Sequence, residues 1–393
     1  MLRKSIFFLA SFATMAFPKA QTFVQVYQDR ANQISQSNIN TYLQEFEAIG
    51  VKRTGTTQNT NAFNWLKNKY LSLGYTTADF FEHSWTSSGL SSKNLIVTKT
   101  GTVYPNKFVI ICGHFDSING PGTNDNGSGT SIILETARIL KNVPTEYSIK
   151  FIHFSGEEQG LLGSSRYVSQ VVNGTIPKMD IKLVINLDQV GGLASKANTK
   201  LYHDKDQSSP TSNNAAAATA VQELANCTLL YSPLSVEYDN AENTDYVPFQ
   251  QNGEIITGYF EYEGGYNNPY VHTVNDLYAN MDPVYVFNIG KAAIGAVQHF
   301  AVASTTALAV EESSISKKME SVEFYPNPAS KVLNLKIDNN IKTFKVDITD
   351  LSGKHILTSE NQSQIDITTL KPGVYFARVI SADQQSTKKI IVQ

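Results

Sequence analysis

Five short segments of this 393-residue sequence contain His, Asp and Glu residues in patterns that could do chemistry. These residues are His114, Asp116, Asp125, Glu157, Glu158, Asp188 and His272. Imidazole nitrogen and carboxylate oxygen are zinc ligands, and a catalytic zinc site keeps one position open for water. One carboxylate must stay off the metal to accept a proton from that water. The adjacent Glu157 and Glu158 offer one group for each role.

The number of carboxylates among these residues favours more than one metal ion. Carboxylates that meet at one site repel one another strongly unless a cation neutralises them. Two ions ~3.5–4 Å apart, sharing a bridging Asp and a bridging water, would do so and would suit hydrolysis. The sequence lacks G-x-S-x-G, G-x-x-x-x-G-K-[ST] and H-E-x-x-H. It therefore lacks the patterns of a serine hydrolase, a nucleotide-binding loop and a one-zinc protease.

Apolar runs alternate with helical patterns along most of the chain. The runs that precede the candidate residues predict strands at Phe108–Cys112, Tyr147–Phe154, Ile181–Leu187 and Ile255–Phe260. Helical periodicity covers Ser128–Asn142, Asn213–Ala225 and Pro283–Val302. This alternation predicts an α/β sandwich with a largely parallel central sheet. In such sheets sites form at the carboxyl ends of the strands, so we expect the candidate residues to meet there.

The composition narrows the possible partners and compartments. Hydrophobic residues make up 41% of the chain and charged residues 17%, which is enough for a packed core. Lys and Arg number 32 and Asp and Glu 35, a net charge of −3 that makes nucleic acid an unsuitable main partner. The two cysteines, Cys112 and Cys227, exclude a disulfide scaffold and a cysteine-built zinc finger. Their spacing favours two free thiols.

The chain carries features that predict export. Residues 1–20 combine a basic start, Met1–Lys4, with an apolar run, Ser5–Phe17, that is too short to span a bilayer. This pattern predicts a signal peptide cleaved after Ala20, with Ala16 as the alternative. No later stretch is apolar enough for a membrane-spanning helix. The composition then predicts a catalytic domain at 21–303, a linker at 304–320 and an all-β module at 321–393.

The candidate motifs resemble those of the dizinc aminopeptidases, of the bacterial leucyl aminopeptidase and aminopeptidase Y kind. The matching stretches, in family order, are Gly113–Ser117, Asn124–Gly129, Phe154–Ser164, Asn186–Asp188 and Val271–Thr273. The resemblance implies two zinc ions per chain and a bridging role for Asp125. His114 and Asp188 would complete the ligand set of one ion. Glu158 and His272 would complete the set of the other.

The same resemblance implies the remaining roles at the site. Glu157 would be the general base, and Asp116 would accept a hydrogen bond from His114 and fix its tautomer. An aminopeptidase acts on peptides with a free N-terminus, and the side chain of the first residue enters a pocket. The candidate substrate-binding residues are Gln189, Tyr262, Tyr266, Tyr270 and Val271. The last four favour an apolar first residue, whereas many relatives have an apolar residue in place of Gln189.

Two alternatives stay open. A glutaminyl cyclase shares the fold but uses one zinc ion, and the intact set of Asp125, Glu157 and Glu158 favours the two-zinc hydrolase instead. A non-catalytic surface binding protein could carry a degenerate form of the fold, although the complete ligand set argues against it. Zinc content and hydrolysis of Leu-p-nitroanilide would separate these possibilities.

The C-terminal module resembles the sorting domain of type IX secretion. The matching stretches are Phe324–Ala329, Val346–Gly353, Leu370–Phe376 and Lys388–Gln393. The resemblance implies the type IX secretion machinery as a partner. It also implies a secreted or cell-surface location, reached through the periplasm of a Gram-negative bacterium. The alternative is a β-sandwich that binds carbohydrate or packs on the enzyme.

Overall fold

The computed structural model describes residues 21–262, 264, 267–305, 317–318, 322–338, 341–350, 355–381 and 384–393. The chain divides into two compact units between Ala307 and Leu308. The predicted signal peptide lies outside the described residues, as does most of the predicted linker, at 306–316 and 319–320.

A mixed eight-stranded sheet forms the centre of the first unit. Its strands are β1 (Phe80–Ser87), β2 (Leu90–Lys99), β3 (Tyr104–His114), β4 (Tyr147–Phe154), β5 (Asp180–Leu187), β6 (Lys200–Lys205), β7 (Ser235–Asn240) and β8 (Ile256–Glu261). They lie in the order β1-β2-β4-β3-β5-β8-β6-β7. Strand β3 runs parallel to β4 and β5, β5 to β8, and β6 to β7. The other three pairs are antiparallel. The predicted α/β sandwich is confirmed.

Helices cover both faces of this sheet. They are α1 (Gln25–Ala31), α2 (Gln36–Ala48), α3 (Thr57–Ser72), α4 (Gly127–Leu140), α5 (Leu162–Tyr167), α6 (Asn214–Tyr231), α7 (Val247–Gln251) and α8 (Pro283–Phe300). Val109 and Ile111 of β3 pack in the core formed with α1–α4, α6 and α8. Ile110 and Cys112 pack in the core formed with α5 and α7. Burial on both faces explains why the parallel strands are continuous apolar runs in the sequence.

Local capping groups determine where the helices begin. The side chain of Asn126 accepts the N–H of Gly129 and starts α4, and Asp282 accepts two N–H groups and starts α8 at Pro283. Helix α6 continues to Tyr231, six residues beyond the predicted end at Ala225. The reason is tertiary, because the last turns of α6 are buried in the core.

The second unit is an all-β module. Its strands are β9 (Lys317–Lys318), β10 (Glu323–Tyr325), β11 (Val332–Lys336), β12 (Lys345–Asp350), β13 (His355–Glu360), β14 (Gln364–Asp366), β15 (Gly373–Ser381) and β16 (Gln384–Val392). They form a three-stranded sheet, β10-β11-β14, and a five-stranded sheet, β13-β12-β15-β16-β9. Alternating apolar residues of both sheets meet in one core.

The described part of the chain contains no helix that is long and apolar enough to cross a membrane. Cys112 and Cys227 are both buried free thiols, as predicted. They lie in the cores on opposite faces of the sheet.

Candidate active site

The sheet brings the candidate residues together at one edge. His114 is the last residue of β3, Glu157 and Glu158 lie three and four residues after β4, and Asp188 follows β5 directly. Strands β4, β3 and β5 are neighbours and run parallel, so their carboxyl ends lie side by side. Asp125 and His272 reach the same place from the turn before α4 and the loop after β8.

The carboxylate of Asp125 lies between two groups of potential ligands. Its Oδ1 is 3.1 Å from Nε2 of His114, and that nitrogen is 3.2 Å from Oδ1 of Asp188. Its Oδ2 is 3.1 Å from Nε2 of His272, and that nitrogen is 3.0 Å from Oε2 of Glu158. Within each group the donor atoms lie within 4.8 Å of one another. The two groups share only Asp125.

The donor set fits zinc. Each group offers one imidazole nitrogen and two carboxylate oxygens, and catalytic zinc commonly has three protein ligands and one open position. Oε1 of Glu158 is buried and has no hydrogen-bond partner among the described residues, so it is an acceptor without a donor. Buried carboxylates are stable when paired with positive charge. The arrangement is therefore suited to hold cations.

The pKa values of the side chains in the two ligand groups also indicate a site that attracts positive charge. Hydrogen bonds to Asp125 and Glu158 raise the pKa of His272 to about 10. Burial opposes the charge on His114, but Asp188 and Glu157 raise its pKa well above the usual range. Burial also raises the pKa of Glu158 to about 7. The carboxylates thus favour a positive charge in each ligand group. A bound zinc ion would supply that charge in place of the proton on the imidazole.

Close packing of the main chain fixes the turn that carries Asp125. The side chain of Asn126 donates to the carbonyl of Leu187 over 2.7 Å, which ties this turn to the end of β5. A Cβ atom on Gly129 would lie 2.5 Å from the same carbonyl. Only glycine allows the first turn of α4 to approach β5 this closely.

Asp116 is fully buried and contacts both His114 and the main chain of Glu157 and Glu158. Its main-chain carbonyl lies 3.1 Å from Nδ1 of His114, whereas its carboxylate is 3.7 Å away. A carbonyl can only accept, so Nδ1 carries the proton and Nε2 is free to bind a metal. The carboxylate instead accepts the main-chain N–H groups of Glu157 and Glu158, each over 3.3 Å. The expected contact with His114 is therefore made by the main chain of Asp116.

Glu157 belongs to neither ligand group. Burial raises its pKa well above the usual range of a carboxyl group, and the charge of Asp188 raises it further. Its side chain lines a cavity of about 310 Å³ beside the two groups. The other lining residues are Asp125, Glu158, Gly160, Asp188, Gln189, Glu242, Asn243, Thr244, Phe260 and His272. A larger cavity, of about 670 Å³ between α3 and the β1–β2 hairpin, contains none of the candidate residues.

The predicted substrate-binding residues differ in whether they line this cavity. Gln189 lines the cavity beside Asp188. Tyr262 packs against Tyr202, with ring centroids 4.9 Å apart, and does not line this cavity. Tyr270 and Val271 are half-buried in the loop just before His272 and do not line it either. Tyr266 lies outside the described residues.

Four residues that line the cavity are not among the predicted substrate-binding residues, namely Phe260, Glu242, Asn243 and Thr244. Phe260 is the last residue of the predicted strand Ile255–Phe260, so the strand-end rule points to it. The other three lie on the loop between β7 and α7.

Comparisons with known proteins agree with these observations. Residues 94–297 match peptidase family M28, and residues 323–393 match the secretion system C-terminal sorting domain. Aminopeptidase YwaD of Bacillus subtilis is 35% identical over 165 residues, which are 42% of this chain and 34% of that protein. Leupeptin-inactivating enzyme 1 of Streptomyces exfoliatus is 28% identical over 257 residues, 63% of this chain and 53% of that protein. The chain thus spans about a third to a half of these relatives.

Solved structures share the fold. The LapA aminopeptidase of Legionella pneumophila matches with a TM-score of 0.63 and 19% identity, over 76% of this chain and 80% of that one. A glutaminyl cyclase of Fimbriiglobus ruber matches with a TM-score of 0.55 and 14% identity, over 68% of this chain and 95% of that one. At these identities the matches show the fold alone.

Proposed function

The chain belongs to peptidase family M28, and we propose that it is a secreted aminopeptidase that uses two zinc ions to remove the N-terminal residue of peptides. One observation carries the proposal: the two oxygens of Asp125 face separate ligand groups, one containing His114 and the other His272. A shared carboxylate of this kind suits a pair of metal ions.

The ligand assignment follows the two groups. His114, Asp125 and Asp188 would hold one ion, and Asp125, Glu158 and His272 the other. Zinc bound there would act as a Lewis acid and lower the pKa of a water molecule. Asp116 contributes by keeping the proton of His114 on Nδ1, so that Nε2 is available.

Glu157 is proposed as the general base. It lines the cavity, stands next to Glu158 and is in neither ligand group. Its carboxylate would accept a proton from the attacking water and return that proton to the leaving amine. The main-chain hydrogen bond to Asp116 holds it at this position. Base catalysis from a fixed position is the usual role of such a carboxylate.

The cavity supports a substrate with a free N-terminus. Its lining contains five carboxylates, those of Asp125, Glu157, Glu158, Asp188 and Glu242. Two zinc ions would offset four of these five negative charges, and the carboxylates outside the ligand groups, Glu157 and Glu242, would suit an ammonium group, which internal peptide bonds lack. Phe260 supplies apolar area at the same cavity, and we propose that it supports a preference for apolar first residues, moderated by Gln189.

The remaining proposals concern export. A signal peptide at 1–20, a catalytic domain at 21–303, a linker at 304–320 and a sorting domain at 321–393 would make the chain a two-step export substrate. The match of residues 323–393 to a secretion sorting domain supports the second step. The type IX secretion machinery would then carry the protein from the periplasm to the surface or medium.

Metal analysis combined with two substrates tests the proposed activity. The purified chain should contain two zinc ions and should hydrolyse Leu-p-nitroanilide. The matched N-acetylated substrate should resist hydrolysis because its amine is blocked. One zinc ion per chain, with cyclisation of N-terminal glutamine and no hydrolysis, would show a glutaminyl cyclase. Neither zinc nor activity would show a binding protein.

A further inference from the structure

Asp276 links the loop that carries His272 to the turn that carries Asp125. Its Oδ1 accepts the main-chain N–H of Asn124 over 2.7 Å, and its Oδ2 accepts the main-chain N–H of Asp125 over 3.0 Å. Its carbonyl accepts the N–H of Thr123 over 3.3 Å. One residue thus satisfies three consecutive main-chain donors just before α4.

This link is buried and is not the only one between the two segments. Asp276 is 3% exposed, and its own N–H is bonded to the carbonyl of Thr273 over 3.2 Å. Glu47 accepts the hydroxyl of Thr123 over 2.9 Å and also the main-chain N–H of Tyr278. Glu47 therefore provides a second link between the Asp125 turn and the loop after β8, two residues beyond Asp276.

The two ligand groups differ in how they are supported. His114 lies within β3 and Asp188 follows β5 directly, so the sheet itself fixes both. Asn124 adds a hydrogen bond between the Asp125 turn and the segment after Asp188, because its Oδ1 accepts the N–H of Gly191 over 2.7 Å. His272 has no such support: it lies in a loop, with φ at +57° and a side chain that is 49% exposed. The distance between Asp125 and His272 therefore depends on contacts such as those of Asp276.

We propose that Asp276 is a positioning residue that sets the geometry of the Asp125–Glu158–His272 group and so determines how tightly that group binds its metal ion. It touches neither the proposed metal nor the cavity. The inference rests on the proposed two-zinc function. If Asp276 is lost, two buried N–H groups lose their acceptor, and the turn and the loop can move apart. Residues that hold ligands in place typically contribute ~10–100-fold to metal affinity.

Asp276→Asn is the direct test, and Asp282→Asn is its matched control. The asparagine keeps one acceptor but turns an amide N–H₂ toward the second N–H. Oδ1 of Asp282 also accepts two main-chain N–H groups, from Val284 over 3.0 Å and Tyr285 over 3.2 Å. Its Oδ2 accepts the side-chain amide of Asn198 over 2.9 Å, so Asp282→Asn likewise keeps one acceptor and turns an N–H₂ toward a donor. Asp282 lies at the start of α8, outside the ligand groups. Both variants should lose stability, but only the first should change metal binding.

The readout is calorimetric titration of the metal-free full chain with zinc, together with Tm. Wild type should bind two ions. Asp276→Asn should bind one ion within about threefold of wild type and the other ~10–100-fold more weakly, and saturating zinc should restore its activity. Asp276→Glu, which keeps both acceptors, should recover part of the lost affinity. Asp282→Asn should bind both ions as wild type does.

The outcomes separate this inference from the proposed function. Two ions bound with wild-type affinity by Asp276→Asn, together with a lower Tm, would show that Asp276 is only structural. Equal weakening of both ions would also overturn the inference. If that variant does not fold, Asp276→Ser retains one acceptor and carries the same expectation. A single ion in the wild type would overturn the proposed function and the inference with it.

Discussion

Oδ1 of Asp116 accepts the main-chain N–H of Glu157 over 3.3 Å. The same buried carboxylate accepts the next N–H, that of Glu158, from its other oxygen. Asp116 thus holds the main chain of two adjacent glutamates, and their side chains point to different places. Glu158 faces His272, and Glu157 lines the cavity outside both ligand groups.

The first prediction concerns the base. Glu157→Gln should leave two zinc ions bound but lower kcat by ~10²–10⁴, because the amide cannot accept the proton from water. Glu237→Gln, on strand β7, is the control and should leave kcat unchanged. Steady-state kinetics and metal analysis of the same samples provide the measurement. Loss of zinc from Glu157→Gln would instead identify Glu157 as a ligand.

The second prediction concerns the shared ligand. Asp125→Ala should lower zinc occupancy in both groups, since Asp125 is the residue common to them. His272→Ala should lower it mainly in one group, so that about one ion per chain remains. Metal analysis after dialysis against a weak chelator distinguishes these results. Equal losses in the two variants would argue against a bridging role.

The third prediction concerns selectivity. If the amide of Gln189 contacts the first side chain, Gln189→Met should raise kcat/KM for Leu relative to polar first residues, by ~1–3 kcal/mol at most. Gln170→Met is a matched control, because Gln170 lies at the other cavity and bonds to His83. Unchanged selectivity in Gln189→Met would place the amide away from the substrate.

The fourth prediction concerns the C-terminal module. A chain ending after Thr305 keeps the pairing of Ala303 with Thr145 and the bond from the N–H of Ser304 to Pro144. It should retain full aminopeptidase activity and the Tm of the catalytic unit. In the native host it should accumulate in the periplasm, whereas the full chain should reach the surface or medium. Normal release of the shortened chain would contradict the sorting assignment, and loss of its activity would make the module part of the enzyme.

The fifth prediction concerns acid stability. Burial lowers the pKa of His153 from 6.5 to about 3, and its Nε2 bonds to the hydroxyl of Tyr70 over 2.9 Å. Between those two pH values the unfolded chain takes up a proton that the folded chain does not. His153 therefore lowers the free energy of unfolding as the pH falls through that window, by up to ~1.4 kcal/mol per pH unit.

Urea unfolding at a series of pH values tests the role of His153. His153→Gln should flatten the decline relative to wild type, although its stability at neutral pH should be lower. Tyr70→Phe is the control, since it removes the hydroxyl and keeps the imidazole, and should therefore retain the decline. Parallel curves for wild type and His153→Gln would rule out this contribution.

The clustering of the candidate ligands could be predicted from the sequence, because the ends of buried strands can be recognised in it. The apolar runs of β3, β4 and β5 mark buried parallel strands, and such strands end at a common edge. His114, Glu158 and Asp188 follow these runs at short distances, so chain position alone placed them near one another. The residues that line the cavity were harder to predict. Glu242, Asn243 and Thr244 lie on a loop, and hydrophobic periodicity does not indicate where a loop lies.

The sequence by itself determined the α/β architecture, the residues that gather at the sheet edge and the separate β module, because hydrophobic periodicity and the order of elements along the chain are local properties. Only the tertiary structure decided that the two oxygens of Asp125 face different imidazoles, those of His114 and His272. It also decided that the carbonyl of Asp116 contacts His114 while its carboxylate binds the glutamate turn. Such choices depend on side-chain rotamers and on loops brought together by distant contacts, such as those of Asp276, and short-range sequence patterns do not encode them.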